Sequence, residues 1–246
     1  MFIYTMSLRL MQWRRVFGGC THRARVGAYA RSSEWQEYLI VLREDARRCN
    51  NGNASETQQA FALLLEYSSE HRCDGYWQGY LYLAYPVVHV MPVSERLPAL
   101  MLVLGALRVY GPHGHQHGFA SVRLRAARFV VRGNSRAVAW LQHPMFCTML
   151  CYRWLFILFG QMFEWCGCVP PYLLQVWDFL LADVVAGVHE RLYLFARCAV
   201  REYCLLVPAQ DGVLEDFARM FEYRWRADNV VRILQHAYIT ARAEGL

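Results

Sequence analysis

The sequence predicts an all-α protein on three grounds. Apolar residues recur three and four positions apart, alternating strand-like runs are few, and Gly, Pro and Asn gather between the periodic segments. Phe61, Leu64, Leu65 and Ser68 fall on one face of a helix expected to begin at Glu56. Toward the C-terminus Leu214, Phe217, Phe221 and Trp225 form one stripe, and Val230, Ile233, Leu234 and Ala237 form the next. Breakers stand between such segments: Asn50-Asn51-Gly52-Asn53, Gly111-Pro112-His113-Gly114, Gly133-Asn134-Ser135, Pro170-Pro171 and residues 208–212. None is long enough for an interdomain linker, and no repeat or low-complexity tract is present. The expectation is one helical domain over residues 7–246, with room for a division into two lobes near 110–135.

Composition narrows the class. With 246 residues, 56% of them apolar and 19% charged, the chain can bury a substantial core, and disorder, collagen and coiled coil are excluded. The most membrane-like stretch, 137–160, contains Gln142, His143, Pro144 and Arg153, and the run 97–107 is too short to span a bilayer. The run 173–188 is broken by Gln175, Asp178 and Asp183. All three read as buried helices, and the N-terminus lacks the order of a secretory signal. Nine cysteines include no Cys-x-x-Cys pair, so reduced thiols in a cytosolic setting are expected.

All 26 basic residues are Arg, against 20 acids, for a net charge of +6. One cluster falls at Arg14, Arg15, Arg23, Arg25 and Arg31, and another at Arg123, Arg125, Arg128, Arg132 and Arg136. Such runs neutralise phosphates in nucleic-acid binders. Here the second run is interleaved with Val122, Leu124, Ala126, Ala127, Phe129 and Val130, as a solvated helix face is, and no nucleic-acid motif accompanies it. No nucleic-acid partner is expected.

Three constellations can carry chemistry. In the first, Leu42, Asp45 and Arg48 stand at three-residue spacing, so Asp45 and Arg48 are neighbours on one helix face. Alone, such a pair reads as a surface salt bridge worth under about 1 kcal/mol. In the second, Gly75-Tyr76-Trp77-Gln78-Gly79-Tyr80 places an amide among aromatics between two glycines, which let another surface approach closely. Alone, it reads as a tight helix contact around a buried, satisfied glutamine. In the third, residues 152–159 and 174–181 read as two buried helices carrying Arg153 and Asp178, polar groups that need partners if they are interior.

Together and in this order, the constellations resemble the TBC domain, the catalytic domain of GTPase-activating proteins for Rab-family GTPases. Leu42, Asp45 and Arg48 match its I-x-x-D-x-x-R motif, and Gly75 to Tyr80 match its G-Y-C-Q-G-M motif. Arg153-Trp154 with Phe159 resembles its R/K-W-x-x-x-x-F helix, and Trp177-Asp178 its W-D motif. Leu8-Arg9, Trp13 and Phe17-Gly18 resemble its opening pattern. The chain departs from the pattern at Cys49, where threonine is usual, and at Tyr80 and Leu81, which bring aromatic bulk toward the presumed catalytic surface.

The resemblance implies a GTPase activator with no self-contained active site. Arg48 would be an arginine finger and Gln78 a glutamine finger, both supplied in trans. Asp45 would hold Arg48, and Tyr76 would support the loop carrying Gln78. No cofactor or metal of its own is implied, since GTP and magnesium belong to the partner, a Rab-family small GTPase. The setting implied is vesicle trafficking: cytoplasmic, with peripheral attachment to endomembranes through the partner. The alternative is a catalytically silent TBC-like module that binds a GTPase or another partner as scaffold or effector. His113, His115 and His117 lie outside the resemblance; without a nearby Cys or carboxylate they read as an exposed polar loop rather than a metal site.

Overall fold

The computed structural model describes residues 6–18, 33–49, 54–70, 76–111, 120–163, 165 and 169–246, without the side chains of residues 33–35, 48, 49 and 70. Among these the chain is all-α. Its helices are α1 (Met6–Phe17), α2 (Ser33–Cys49), α3 (Ala54–Glu70), α4 (Tyr80–Val90), α5 (Val93–Leu107), α6 (Ala120–Val131), α7 (Ser135–Trp140), α8 (Pro144–Leu150), α9 (Pro171–Val185), α10 (Glu190–Leu206), α11 (Val213–Glu222) and α12 (Ala227–Glu244). An isolated bridge between Phe163 and Trp225 is the one extended pairing among the described residues. No described helix is long and apolar enough to cross a membrane. The chain divides into two compact units: Met1–Gly105 with Trp165–Leu174, and Ala106–Glu164 with Gln175–Leu246.

In the first unit α4 is apolar on every side, and Tyr80 through Val88 are all buried. A helix of that kind must be surrounded, and α1, α2 and α3 pack against it. α1 contributes Arg9, Trp13 and Phe17 at four-residue spacing. α3 buries Ala60, Leu63, Leu64, Tyr67 and Ser68, whereas Phe61 and Leu65 from the expected face are only half-buried. Polar anchors tie the helices together. Arg14 of α1 grips both oxygens of Glu95 on α5, with Nε at 2.9 and 3.0 Å. Arg96 donates to Val88 O at 3.0 Å and Met91 O at 2.9 Å, satisfying carbonyls at the end of α4 that have no intrahelical donor.

In the second unit α10 is central and packs against α6 and α12. Its core is aromatic: Phe159 meets Phe195 at 4.7 Å between ring centroids, Trp154 meets Phe221 at 5.1 Å, and Phe146 meets Phe217 at 5.5 Å. The predicted α12 stripe is buried throughout, at Val230, Ile233, Leu234 and Ala237. The preceding stripe is interrupted at both ends. Leu214 is exposed, and Trp225 lies beyond α11, where its N–H reaches Met162 O at 2.9 Å.

The unit is braced by Arg136 and Asp216. Arg136 Nε donates to Asp216 Oδ2 at 2.8 Å and its terminal nitrogens reach Asp216 Oδ1 and the carbonyls of Val207 and Pro208. Trp140 Nε1 adds a bond to Oδ2 at 3.0 Å. Burial pushes the Asp216 carboxyl up, but the Arg136 and Trp140 donors, the Arg136 charge and the Gln210 N–H outweigh it and hold its pKa below the ordinary value.

The expected helix over 152–159 is not formed. α8 runs instead into a π turn, Cys151–Leu155, in which the Phe156 N–H reaches Cys151 O and the Phe159 N–H reaches Trp154 O, each at 2.8 Å. Leu158 and Phe159 then adopt left-handed φ values of 44° and 63°. Trp154 through Phe159 are all 4% exposed or less, so the irregular backbone still keeps every side chain of this run in the core. Left-handed backbone costs about 1–2 kcal/mol per residue, and fully burying each side chain returns about 1.5–3 kcal/mol, so burial wins. Arg153 and Asp178 are half-buried, not interior.

Candidate functional site

The first two constellations meet in the first unit. Asp45, in the penultimate turn of α2, is completely buried and is not the surface ion-pair member that its spacing suggests in isolation. Its Oδ2 accepts a hydrogen bond from the Tyr76 hydroxyl at 2.6 Å and another from the Gly79 N–H at 2.9 Å. One carboxylate oxygen thus ties the C-terminal part of α2 to the turn entering α4, 34 residues further on.

The turn itself runs from Trp77 to Tyr80, closed by the Tyr80 N–H to Trp77 O at 3.1 Å. Its third residue, Gly79, has φ 101° and ψ −13°, the left-handed geometry that a type II turn demands and that favours glycine there. Its second residue is Gln78, which is exposed. The buried, satisfied glutamine expected from the motif alone is therefore not what forms: Gln78 stands on the outer corner of a turn whose backbone is pinned from below by Asp45.

Arg48 belongs to the last turn of α2, one turn beyond Asp45; its side chain, like that of Cys49, lies outside the described residues, as does Gly75. Its neighbour Arg47 is exposed and paired with Glu44 one turn back. Tyr76 is buried, with its ring against Tyr38 at 6.5 Å and Tyr80 at 5.8 Å between centroids. Tyr80 also meets Tyr67 edge-on at 5.9 Å. This corrects one expectation. Tyr80 and Leu81 are 5% and 0% exposed, so the bulk at these two departures fills the core beneath the turn and does not stand on the surface. Sequence reasoning took Gly79 only as room for another surface to approach; in the structure it acts through its amide N–H and its freedom of φ.

Elsewhere, Tyr110 shares hydrogen bonds with His189 Nδ1 at 2.7 Å and the Tyr193 hydroxyl at 2.5 Å. Burial raises both tyrosines and lowers His189, keeping all three neutral near pH 7. Cys147 is lowered to about 7 by the Cys151 thiol one turn away, against burial and with help from Arg123. The four described cysteines, Cys147, Cys151, Cys198 and Cys204, are free thiols. No group of three metal-ligating side chains occurs among the described residues; His113, His115 and His117 lie outside them. Comparison with protein-family models, curated proteins and solved structures finds no match.

Proposed function

We propose that this chain is a TBC-type GTPase-activating module acting on a Rab-family small GTPase, with Arg48 and Gln78 supplied in trans. The observation that carries the reading is the shared anchor. A single oxygen of Asp45 binds both the Tyr76 hydroxyl and the Gly79 N–H, so the helix turn bearing Arg48 and the exposed corner bearing Gln78 are held beside one another. In GTP hydrolysis, negative charge develops on the transferring phosphoryl group and the bridging oxygen, where a guanidinium stabilises it, and a fixed amide orients the attacking water. Asp45 and Tyr76 are positioning residues. GTP and magnesium belong to the partner, and the setting is vesicle traffic at the cytoplasmic face of endomembranes, reached through the GTPase.

The test is single-turnover GTP hydrolysis by a panel of purified Rab GTPases, with and without the full chain and its variants. Arg48→Ala is expected to reduce stimulation by about a thousandfold or more while leaving the far-ultraviolet circular dichroism unchanged, and Gln78→Ala is expected to abolish most of it. Undiminished stimulation by Arg48→Ala removes the finger assignment and transfers suspicion to Arg47. Binding to a GTPase without stimulation by the unaltered chain identifies the silent scaffold instead.

A further inference from the structure

The second unit contains an open pocket of about 460 Å³ lined by Val130, Arg132, Arg197, Arg201, His236 and Thr240 among others, of which Arg132, Arg201 and His236 are exposed. That volume lies within the range of small-ligand pockets, about 300–1,000 Å³. Three separate elements line it: the turn after α6, α10 and α12, with the arginines coming from the first two. No carboxylate lines it. Arg197 is oriented by a bond to Glu244 Oε1 at 2.8 Å and by the Phe129 ring, 4.8 Å below its guanidinium. No described residue engages the guanidinium of Arg132 or Arg201 in a hydrogen bond or ion pair.

Arg132 and Arg201 share this with Arg125, Arg128, Arg219, Arg226 and Arg242 of the same unit; what sets the two apart is that they line one pocket together. Arg136, Arg191 and Arg232 are each paired with an acid, and the buried Arg123 donates to the Val109 and Gly111 carbonyls. The basic run 123–136 is therefore not one uniform solvated face: its members have separate roles, and Arg132 is the one delivered to the cavity. Arg197 and Arg201 stand four apart on α10, a like-charge spacing that weakens a helix unless an anion sits between them. Burial pushes the Cys198 thiol up to about 11, so it contributes no negative charge beside them. Two guanidiniums without a partner match the charge of about −1.5 to −2 on a phosphate monoester at neutral pH. His236 and Thr240 add donors, and Val130 and Ile239 offer apolar wall for a carbon skeleton.

We propose that this cavity binds a small phosphorylated organic anion, with Arg132 and Arg201 as the principal phosphate ligands and Arg197 as the oriented third. The proposal is independent of any action on a GTPase.

The experiment is calorimetric titration of the full chain with inorganic pyrophosphate and with soluble inositol trisphosphate. Arg132→Gln with Arg201→Gln is expected to weaken binding at least about tenfold. Arg128→Gln, an exposed arginine of the same run that does not line the cavity, is expected to change it less than about twofold. No detectable binding at millimolar pyrophosphate, or equal weakening by Arg128→Gln, overturns the site. Sedimentation with phosphoinositide vesicles separates the sources. Vesicle association that soluble inositol trisphosphate displaces assigns a lipid headgroup, and soluble binding without vesicle association assigns a free metabolite.

Discussion

Asp45 and Asp216 are both buried carboxylates that hold distant segments together, and they do so by different means. At Asp216 the guanidinium of Arg136 covers both oxygens, and Trp140 adds an N–H, so the result is a closed brace between side chains. At Asp45 the described donors are a phenol hydroxyl and a peptide N–H converging on one oxygen. Because one donor belongs to the backbone, that carboxylate fixes a chain conformation rather than another side chain, and the residue before the donor is left outward. The first arrangement closes on itself; the second leaves Gln78 exposed at the corner of the turn.

Breaking the brace is expected to have the largest effect. Arg136→Ala leaves a buried carboxylate without its cation and should lower unfolding free energy by about 3–5 kcal/mol in urea denaturation. Arg136→Lys should recover little, since an ammonium cannot fork across both oxygens. Asp45→Ala leaves the Tyr76 hydroxyl and the Gly79 N–H buried without their acceptor, a loss of about 3 kcal/mol, and GTPase stimulation should fall with it even though Arg48 and Gln78 are intact. A loss of stability with full stimulation would separate the anchor from the function.

Gly79→Ala is a gentler probe of the same turn. A side chain at φ 101° should cost about 1–2 kcal/mol, read as a lower urea midpoint, and it shifts the Gln78 corner without touching either carboxylate. The smallest effect concerns pH. Burial holds the His189 pKa below its ordinary 6.5, so the unfolded chain takes up a proton before the folded one does. Stability is full above about pH 6.5 and declines as pH falls from there through the lowered folded value. Urea midpoints measured between pH 7.5 and 5 should show this slope, and His189→Gln should flatten it.

The helical class and the α12 stripe could be read from local spacing, whereas Asp45, Tyr76 and Gln78 came together as a set only through the resemblance to the TBC domain. What could not be read were the properties fixed by contacts far along the chain. Asp45 is a surface residue or a buried anchor depending on whether a hydroxyl and an amide more than 30 residues away arrive above it. Gln78 is exposed because Gly79 turns left-handed under that pull, and Tyr80 is buried because Tyr67 of α3 receives its ring. The return of Trp165–Leu174 to the first unit leaves no periodic trace either. Residues 152–159 misled for another reason: the apolar run from Trp154 to Phe159 carries no phase, and the widened turn leading into it has no sequence signature of its own.

That widened turn also makes the segment sensitive to length. Two consecutive wide loops of backbone, closing at Phe156 and Phe159, hold one more residue than a regular helix would over the same rise. Deleting Tyr152, which is only half-buried, would remove that surplus residue and let the backbone wind as a regular helix with Trp154 and Leu155 still facing the core. Inserting a residue has no such relief and would rotate every later side chain by about 100°. The region should accept exchanges of one apolar residue for another, and the loss of one residue more readily than the gain of one.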